Sequence, residues 1–229
     1  MTGYSSSTPG VVMLPVMVNE PEGVVSQWDV VDWRRHEDNV GRLRQRIFTA
    51  TKDGNLAAVR NLQRLMLRSW SNTLVSVRQA TQRNAGRVTA GVDGQVALTS
   101  HERMELAVQV HRDASTWCPR PVKRVYILKA GNRAKLRPLG IPVIADRCHQ
   151  GRVRAALEPE WEARFEPKSY GFRPGRGCHD AIGAIFTTCC GLGAQRMWVL
   201  DADLAAAFAR TRSTTTDYPK RSGLSLPGT

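Results

Sequence analysis

Residues 122–141 read VKRVYILKAGNRAKLRPLGI, and the fold turns on how this stretch is read. Its first part alternates, with Val125 and Ile127 on one side and Arg124 and Tyr126 on the other, the period of a strand. AGNRAK is polar and contains glycine, as a hairpin-type turn does. Residues 136–141 then return as a second strand, in which Pro138, lacking an N–H, favours an edge or irregular position. A short hairpin is therefore expected in the middle of the chain.

Helical patterns lie on both sides of it. Upstream, residues 39–51 fit a helix that Gly54 ends or separates. Residues 55–83 carry the strongest helical signal. Leu56, Val59, Leu62, Met66, Trp70, Leu74 and Val77 recur at three- and four-residue steps and so share one face. Arg60, Arg64 and Arg68 recur every fourth residue on another face, making a basic ridge. Such a ridge can track a phosphate backbone or be an ordinary solvated face. RNAGRVTAGVDG (83–94) reads as a loop, and Thr99 with Glu102 three residues on reads as a capping box opening a helix to about residue 113. Downstream of the hairpin a helix begins near residue 145, with Pro159 interrupting or restarting it. A loop, SYGFRPGRGCHDA, leads into another helix near 179–180. MWVLDADL reads as a short apolar strand ending in acids, and Cys189-Cys190 as a buried helical pair. Trp28 and Trp33 are expected to anchor the start of order, and the six tryptophans to serve packing more than base stacking.

The 229 residues suit one domain or two small ones. With 33 Lys+Arg against 20 Asp+Glu the formal net charge is +13, and its distribution is uneven. Residues 1–33 hold four acids and no Lys or Arg, residues 34–92 hold 12 basic against 3 acidic residues, and residues 151–208 balance at 7 and 7. Charge concentrated in the first half fits a polyphosphate partner. No apolar run approaches the ~18–20 residues of a membrane span. Five cysteines without paired spacing argue against a disulfide framework and suit a reducing cytoplasm. The histidines show no zinc-ligand spacing. Cys178-His179-Asp180 are adjacent and point apart, unlike a triad, and GFRPGRG lacks the lysine of a P-loop.

Three blocks in order carry a family resemblance: RPVKRVYILKAGNRAKLRPLGIPVIADR, LEPEWEARFEPKSYGFRPGRGCHDAI and WVLDADLAAAF. They resemble the fingers and early palm of group II intron-encoded reverse transcriptases, the maturases of bacterial introns. Residues 45–94 are similar to the amino-terminal extension of the same proteins. The resemblance covers about residues 26–208, and the combination of blocks is far more specific than any one of them.

The resemblance implies an α+β, right-hand polymerase arrangement. It consists of fingers and a partial palm (96–208) after a mainly helical basic region (26–95), with a flexible lead at 1–25. The implied activity is RNA-directed DNA polymerisation together with help in intron folding and splicing. The implied partners are intron RNA, an RNA template with its DNA primer, and dNTP, with no membrane; the implied cofactor is Mg²⁺. Nucleotide addition uses two divalent metals held by carboxylates. The family's first metal-binding acid matches Asp203, Leu204 lies next to it, and the aromatic that blocks a ribose 2′-hydroxyl matches Phe208. Asp201 is the weaker ligand candidate. Lys129 and Arg137 match the pair that neutralises the incoming triphosphate, and Lys123 is a further candidate from the same block. Arg173 and Arg176, in the YGFRPGR loop, are expected either to touch phosphate or to brace nearby acids.

Three departures bear on function. Leu128 stands where the family usually has proline, and Ala209 where an Asp usually follows the aromatic. The family's YADD-like motif is not among these residues, and one Asp cannot organise two metals, so the polypeptide is expected to be inactive alone. Residues 209–229 diverge from the family. Thr214-Thr215-Thr216 sit about where an Asp-His-Asp-His run is usual, as a shift of reading frame near codon 209 would produce. An RNA-binding module and a non-functional remnant are the rival readings.

Overall fold

The computed structural model describes residues 28–129, 132–190 and 198–202. A short 3₁₀ turn, Trp28–Val30, leads to helix α1, Trp33–Lys52, which the Asp32 carboxylate caps by accepting the Arg35 N–H at 3.1 Å. The helix begins six residues before the apolar pattern at 39–51 suggests, because an N-cap rather than periodicity sets its start. Trp28 is buried and its ring lies 4.7 Å from that of Trp33, so the two do anchor this end.

The 55–83 signal resolves into more than one element. Helix α2, Leu56–Arg68, is capped by Asn55, which accepts the Ala58 N–H at 3.0 Å. Ser69 is extended (ψ 125°) and caps α3, Trp70–Arg78, and a π-helical turn follows at Gln79–Arg83. Apolar spacing runs through Ser69 unbroken, which is why one helix was expected. The break is held by Asn72, fully buried, whose Nδ2 donates to the Met66 carbonyl at 3.0 Å and the Arg152 carbonyl at 3.2 Å. Val59, Met66, Leu74 and Val77 are buried as their spacing requires, whereas Leu56 is exposed.

Helix α4, Ser100–Arg112, starts with the expected capping box: Thr99 accepts the Glu102 N–H and Glu102 accepts the Thr99 N–H. Strands β1, Lys123–Lys129, and β2, Asn132–Ile141, form an antiparallel pair with Tyr126 opposite Pro138, Ile127 opposite Arg137 and a register shift at Leu128/Lys129. Tyr126, Ile127, Leu128, Leu136 and Leu139 are exposed.

Helix α5, Ile144–Arg164, runs without interruption through Pro159. The proline forfeits one backbone hydrogen bond, but tertiary contacts hold the turns around it. Glu158 pairs with Arg44 at 2.8 Å, and Gln63 Nε2 donates to Glu160 at 2.6 Å. Helix α6, Cys178–Cys189, follows. Cys189 and Cys190 are exposed, not the buried pair expected, because α6 has no buried residue among those described. Residues 198–202 are exposed and form no strand.

Two apolar clusters make the core. Trp28, Leu74, Val77, Ala107 and Val110 meet Ile144 and Cys148, while Val40, Ile47, Val59 and Met66 meet Ala156. α5 contributes to both and is the spine on which α1, α2, α3 and α4 pack. The protein is α+β in composition: mainly helical, with one small antiparallel sheet.

Candidate nucleic-acid interface

Burying Val59 and Met66 turns the opposite side of α2 to solvent, and Arg60, Arg64 and Arg68 are all exposed there. Four-residue steps advance about 6 Å along the axis, so three guanidinium groups form one stripe about 12 Å long. Acids elsewhere are engaged by other arginines. Glu37 takes Arg78 and Arg83 at 3.1 and 2.7 Å, Glu160 takes Arg164 at 2.6 Å, and Asp93 takes Arg120 at 3.6 Å. Among the described residues, no carboxylate pairs with the three arginines of the stripe. Arg46, which sequence reading passed over, lines a shallow cleft between α1 and α2 with Thr49, Asp53 and Asn55. The four-residue spacing of Arg42 and Arg46 on α1 was the available signal.

The first turns of α5 position the surrounding loops. Asp146, buried, accepts from Trp117 Nε1 at 2.8 Å and from the Arg120 N–H at 2.9 Å, fixing the segment that leads into β1. Arg147 donates to the Pro142 carbonyl at 3.0 Å, the Gly86 carbonyl at 2.9 Å and the Thr89 carbonyl, pinning the 83–94 loop. Gly91 approaches so closely that a Cβ there would lie 2.7 Å from the Val143 Cα. Arg152 donates to the Leu67 carbonyl near the end of α2 and to the Val110 carbonyl in α4 at 3.1 Å. These roles were not legible beforehand, since Asp146, Arg147 and Arg152 look like ordinary members of a helix of mixed charge.

Two histidines surround this arginine. His111 accepts or donates with Thr73 Oγ1 at 3.0 Å and meets the Trp70 ring edge-on at 5.1 Å. His149 stacks on Trp117 at 4.7 Å. Burial, and then the nearby charge of Arg152, pushes both imidazoles down to about 4. They are neutral packing groups at pH 7. Burial pushes the Cys148 thiol up to about 12, so it is a core side chain and not a nucleophile.

The residues singled out from sequence fall in different places. Lys123 and Arg137 are exposed on the hairpin, with Arg137 opposite Ile127, two residues before Lys129. Lys129 ends β1, with its backbone paired to Asn132. Asp203, Leu204 and Phe208 lie outside the described residues; Asp201 is exposed. No three His, Cys, Asp or Glu side chains among the described residues converge to hold a metal ion. No helix among them is long and apolar enough to cross a membrane.

For Arg173, the bracing alternative describes the geometry. Its side chain is 4% exposed and forms a two-pronged pair with Glu162 at 2.9 and 2.6 Å. It also donates to the carbonyls of Glu166 and Ser169 at 2.6 and 2.8 Å. Four of its five N–H donors are thereby committed within the protein, which leaves little to offer a phosphate. The bonds to Arg173 hold the Glu162 carboxyl below the usual carboxylate range. Arg176 donates to the carbonyls of Pro167 and Ser169 and sits 5.6 Å from the Tyr170 ring.

What the fold and its charge define is a basic, mainly helical domain with an exposed β-hairpin set between α4 and α5. Residues 28–110 match the family described as the N-terminal domain of reverse transcriptase. The chain is 34% identical over 174 residues to protein YkfC of Escherichia coli (strain K12), covering 74% of this chain and 44% of that protein. It is 39% identical over 126 residues to the group II intron-encoded protein LtrA of Lactococcus lactis subsp. cremoris, covering 55% of this chain and 20% of LtrA. Maturase-like protein 1 of Euglena gracilis is 28% identical over 141 residues, 62% of this chain and 30% of that protein. The chain is thus a relative of the group II intron-encoded reverse transcriptases and maturases and carries the N-terminal reverse transcriptase domain. It spans less than half the length of each of these three relatives.

Proposed function

We propose that the chain binds intron RNA through its helical basic region (26–95) and continues into the fingers and start of the palm of an RNA-directed DNA polymerase (96–208). The observation that carries this reading is the stripe of Arg60, Arg64 and Arg68, exposed and without carboxylate partners among the described residues. Cations left uncancelled on a rigid helix are suited to neutralising successive phosphates. On the hairpin, Lys129, Arg137 and Lys123 are proposed to hold the triphosphate of a dNTP, and Phe208 and Leu204 to contact the sugar end of that nucleotide. Asp203 is proposed to hold Mg²⁺, which would activate a primer 3′-hydroxyl annealed to an RNA template. Arg176, which forms no salt bridge with a carboxylate among the described residues, is proposed to face the template–primer. Arg173 serves the same surface as a brace.

Binding to a structured RNA, measured across a salt series, tests the first part. Replacing Arg60, Arg64 and Arg68 by Gln should flatten the slope of log K against log salt by about 2–3, since each lost phosphate contact removes ~0.7–0.9. A slope unchanged in the triple variant would refute the ridge as the contact. Primer extension with Mg²⁺ tests the second part. For these 229 residues the expected result is no product, because Asp203 is the one residue matched to a family metal ligand. An RNA-binding module that does not polymerise is the second reading. It is favoured by the concentration of charge in residues 34–92, 12 basic against 3 acidic.

A further inference from the structure

Helix α6 leaves its apolar face uncovered. It buries no side chain among those described, and no other described element packs closely against it. Ile182, Ile185 and Phe186 are 61%, 63% and 65% exposed. A helix face of this kind, apolar at helical spacing, ordinarily packs against a partner.

The spacing on that face says what the partner is. Cys178, Ile182, Ile185 and Cys189 follow one another at steps of four, three and four, and all four are exposed. Those steps are the d–a–d–a order of a two-helix seam. The pattern is also a palindrome about a point between Gly183 and Ala184, reading the same from either end. A two-fold contact brings residue i against residue j and j against i. In an antiparallel pair about this point, Ile182 faces Ile185 of a second copy and Cys178 faces Cys189 of that copy. Phe186 flanks the same seam.

Charge permits the contact. Asp180, the one carboxylate on α6, lies on the side away from the seam and accepts the Gly177 N–H at 2.7 Å. The excess positive charge sits in residues 34–92, 12 basic against 3 acidic, whereas residues 151–208 balance at 7 and 7. Two copies, each of net charge +13, can therefore meet at α6 without opposing like charges. A membrane surface suits this helix less, because it has no Lys or Arg bordering its apolar face.

We propose that α6 is a self-association surface, through which two copies of this chain pair antiparallel along Cys178, Ile182, Ile185 and Cys189. The five apolar or thiol side chains from each copy would cover about 800–1,000 Å² in total, below the standard interface size. The dimer is accordingly weak and concentration-dependent.

The test uses the 229-residue chain under reducing conditions. Sedimentation velocity from about 1 to about 100 μM should show the average mass rising from one copy towards two. Ile182→Glu/Ile185→Glu should weaken association at least about tenfold. It should leave the melting temperature unchanged, since α6 lends nothing to either apolar cluster. Ile182→Glu/Ile185→Lys should associate more tightly than that variant, because antiparallel pairing sets Glu opposite Lys twice. A parallel pair would oppose like charges instead. Orientation is read with a short bismaleimide in chains carrying Cys118→Ser and Cys190→Ser, the buried Cys148 being out of reach. A chain that also carries Cys178→Ser and one that also carries Cys189→Ser should cross-link when mixed and not when alone. A monomer at every concentration would overturn the inference, as would a dimer indifferent to Ile182→Glu/Ile185→Glu. Cross-links within each single sample, or a lowered melting temperature in the Glu/Glu variant, would equally overturn it. None of these outcomes touches the arginine stripe, so this inference and the RNA-binding reading fail separately.

Discussion

Replacing Arg152 by Met tests whether one buried cation ties the basic helix to the rest of the fold. Arg152 is 3% exposed and has no carboxylate partner among the described residues; its guanidinium is met by the carbonyls of Leu67 and Val110 and lies 3.3 Å from His149 Nδ1. Methionine fills much of the aliphatic volume but donates nothing, leaving two carbonyls without their donor at about 1–3 kcal/mol each. Part of that loss is returned, because burial already disfavours the charged guanidinium and lowers its pKa. The net expectation is destabilisation by about 2–4 kcal/mol, read as a lower urea midpoint by circular dichroism. A second readout separates this cause from general damage. The charge of Arg152 helps hold His111 and His149 down to about 4, so their NMR titration midpoints should rise in the variant. Arg152→Lys, which keeps the charge but lacks the fork, should fall between the two in stability and leave the histidines nearer their wild-type values. A midpoint within about 0.5 kcal/mol of wild type, with unmoved histidines, would refute the assignment.

Two further expectations concern stability. Gly91→Ala places a Cβ 2.7 and 2.8 Å from backbone atoms of Val143, which cannot swing aside, so a loss of about 1–3 kcal/mol is expected; an unchanged melting temperature would show that the 83–94 loop moves freely. Acid should weaken the fold before carboxylates titrate. Because His111 and His149 titrate near 4 when folded and near 6.5 when unfolded, the unfolded chain binds more protons between those values. Stability from this source is complete above about 6.5 and declines as pH falls towards 4. Urea midpoints at pH 7.5, 6 and 5 should decrease in that order, and a flat series would contradict the neutral, buried state of these rings.

Much of this protein was legible as a one-dimensional pattern. Caps, apolar spacing and hairpin alternation are local properties, so Thr99–Glu102, the buried face of Val59 and Met66, and the β1–β2 pairing could be read directly. The resemblance to reverse transcriptases rested on ordered blocks of residues, equally a linear property. Other decisions needed distant partners. Ser69 splits a continuous apolar stripe because Asn72 reaches Arg152, 80 residues away. Pro159 stays inside a helix because Arg44 and Gln63 hold the turns around it. The arginines show the difference most plainly. In sequence, Arg64, Arg152 and Arg173 are alike, each a cation in a charged stretch. Folding leaves the first exposed, buries the second against carbonyl oxygens and encloses the third around Glu162. Electrostatic role depends on which groups lie within a few ångströms, and that is settled by packing between segments far apart in the chain.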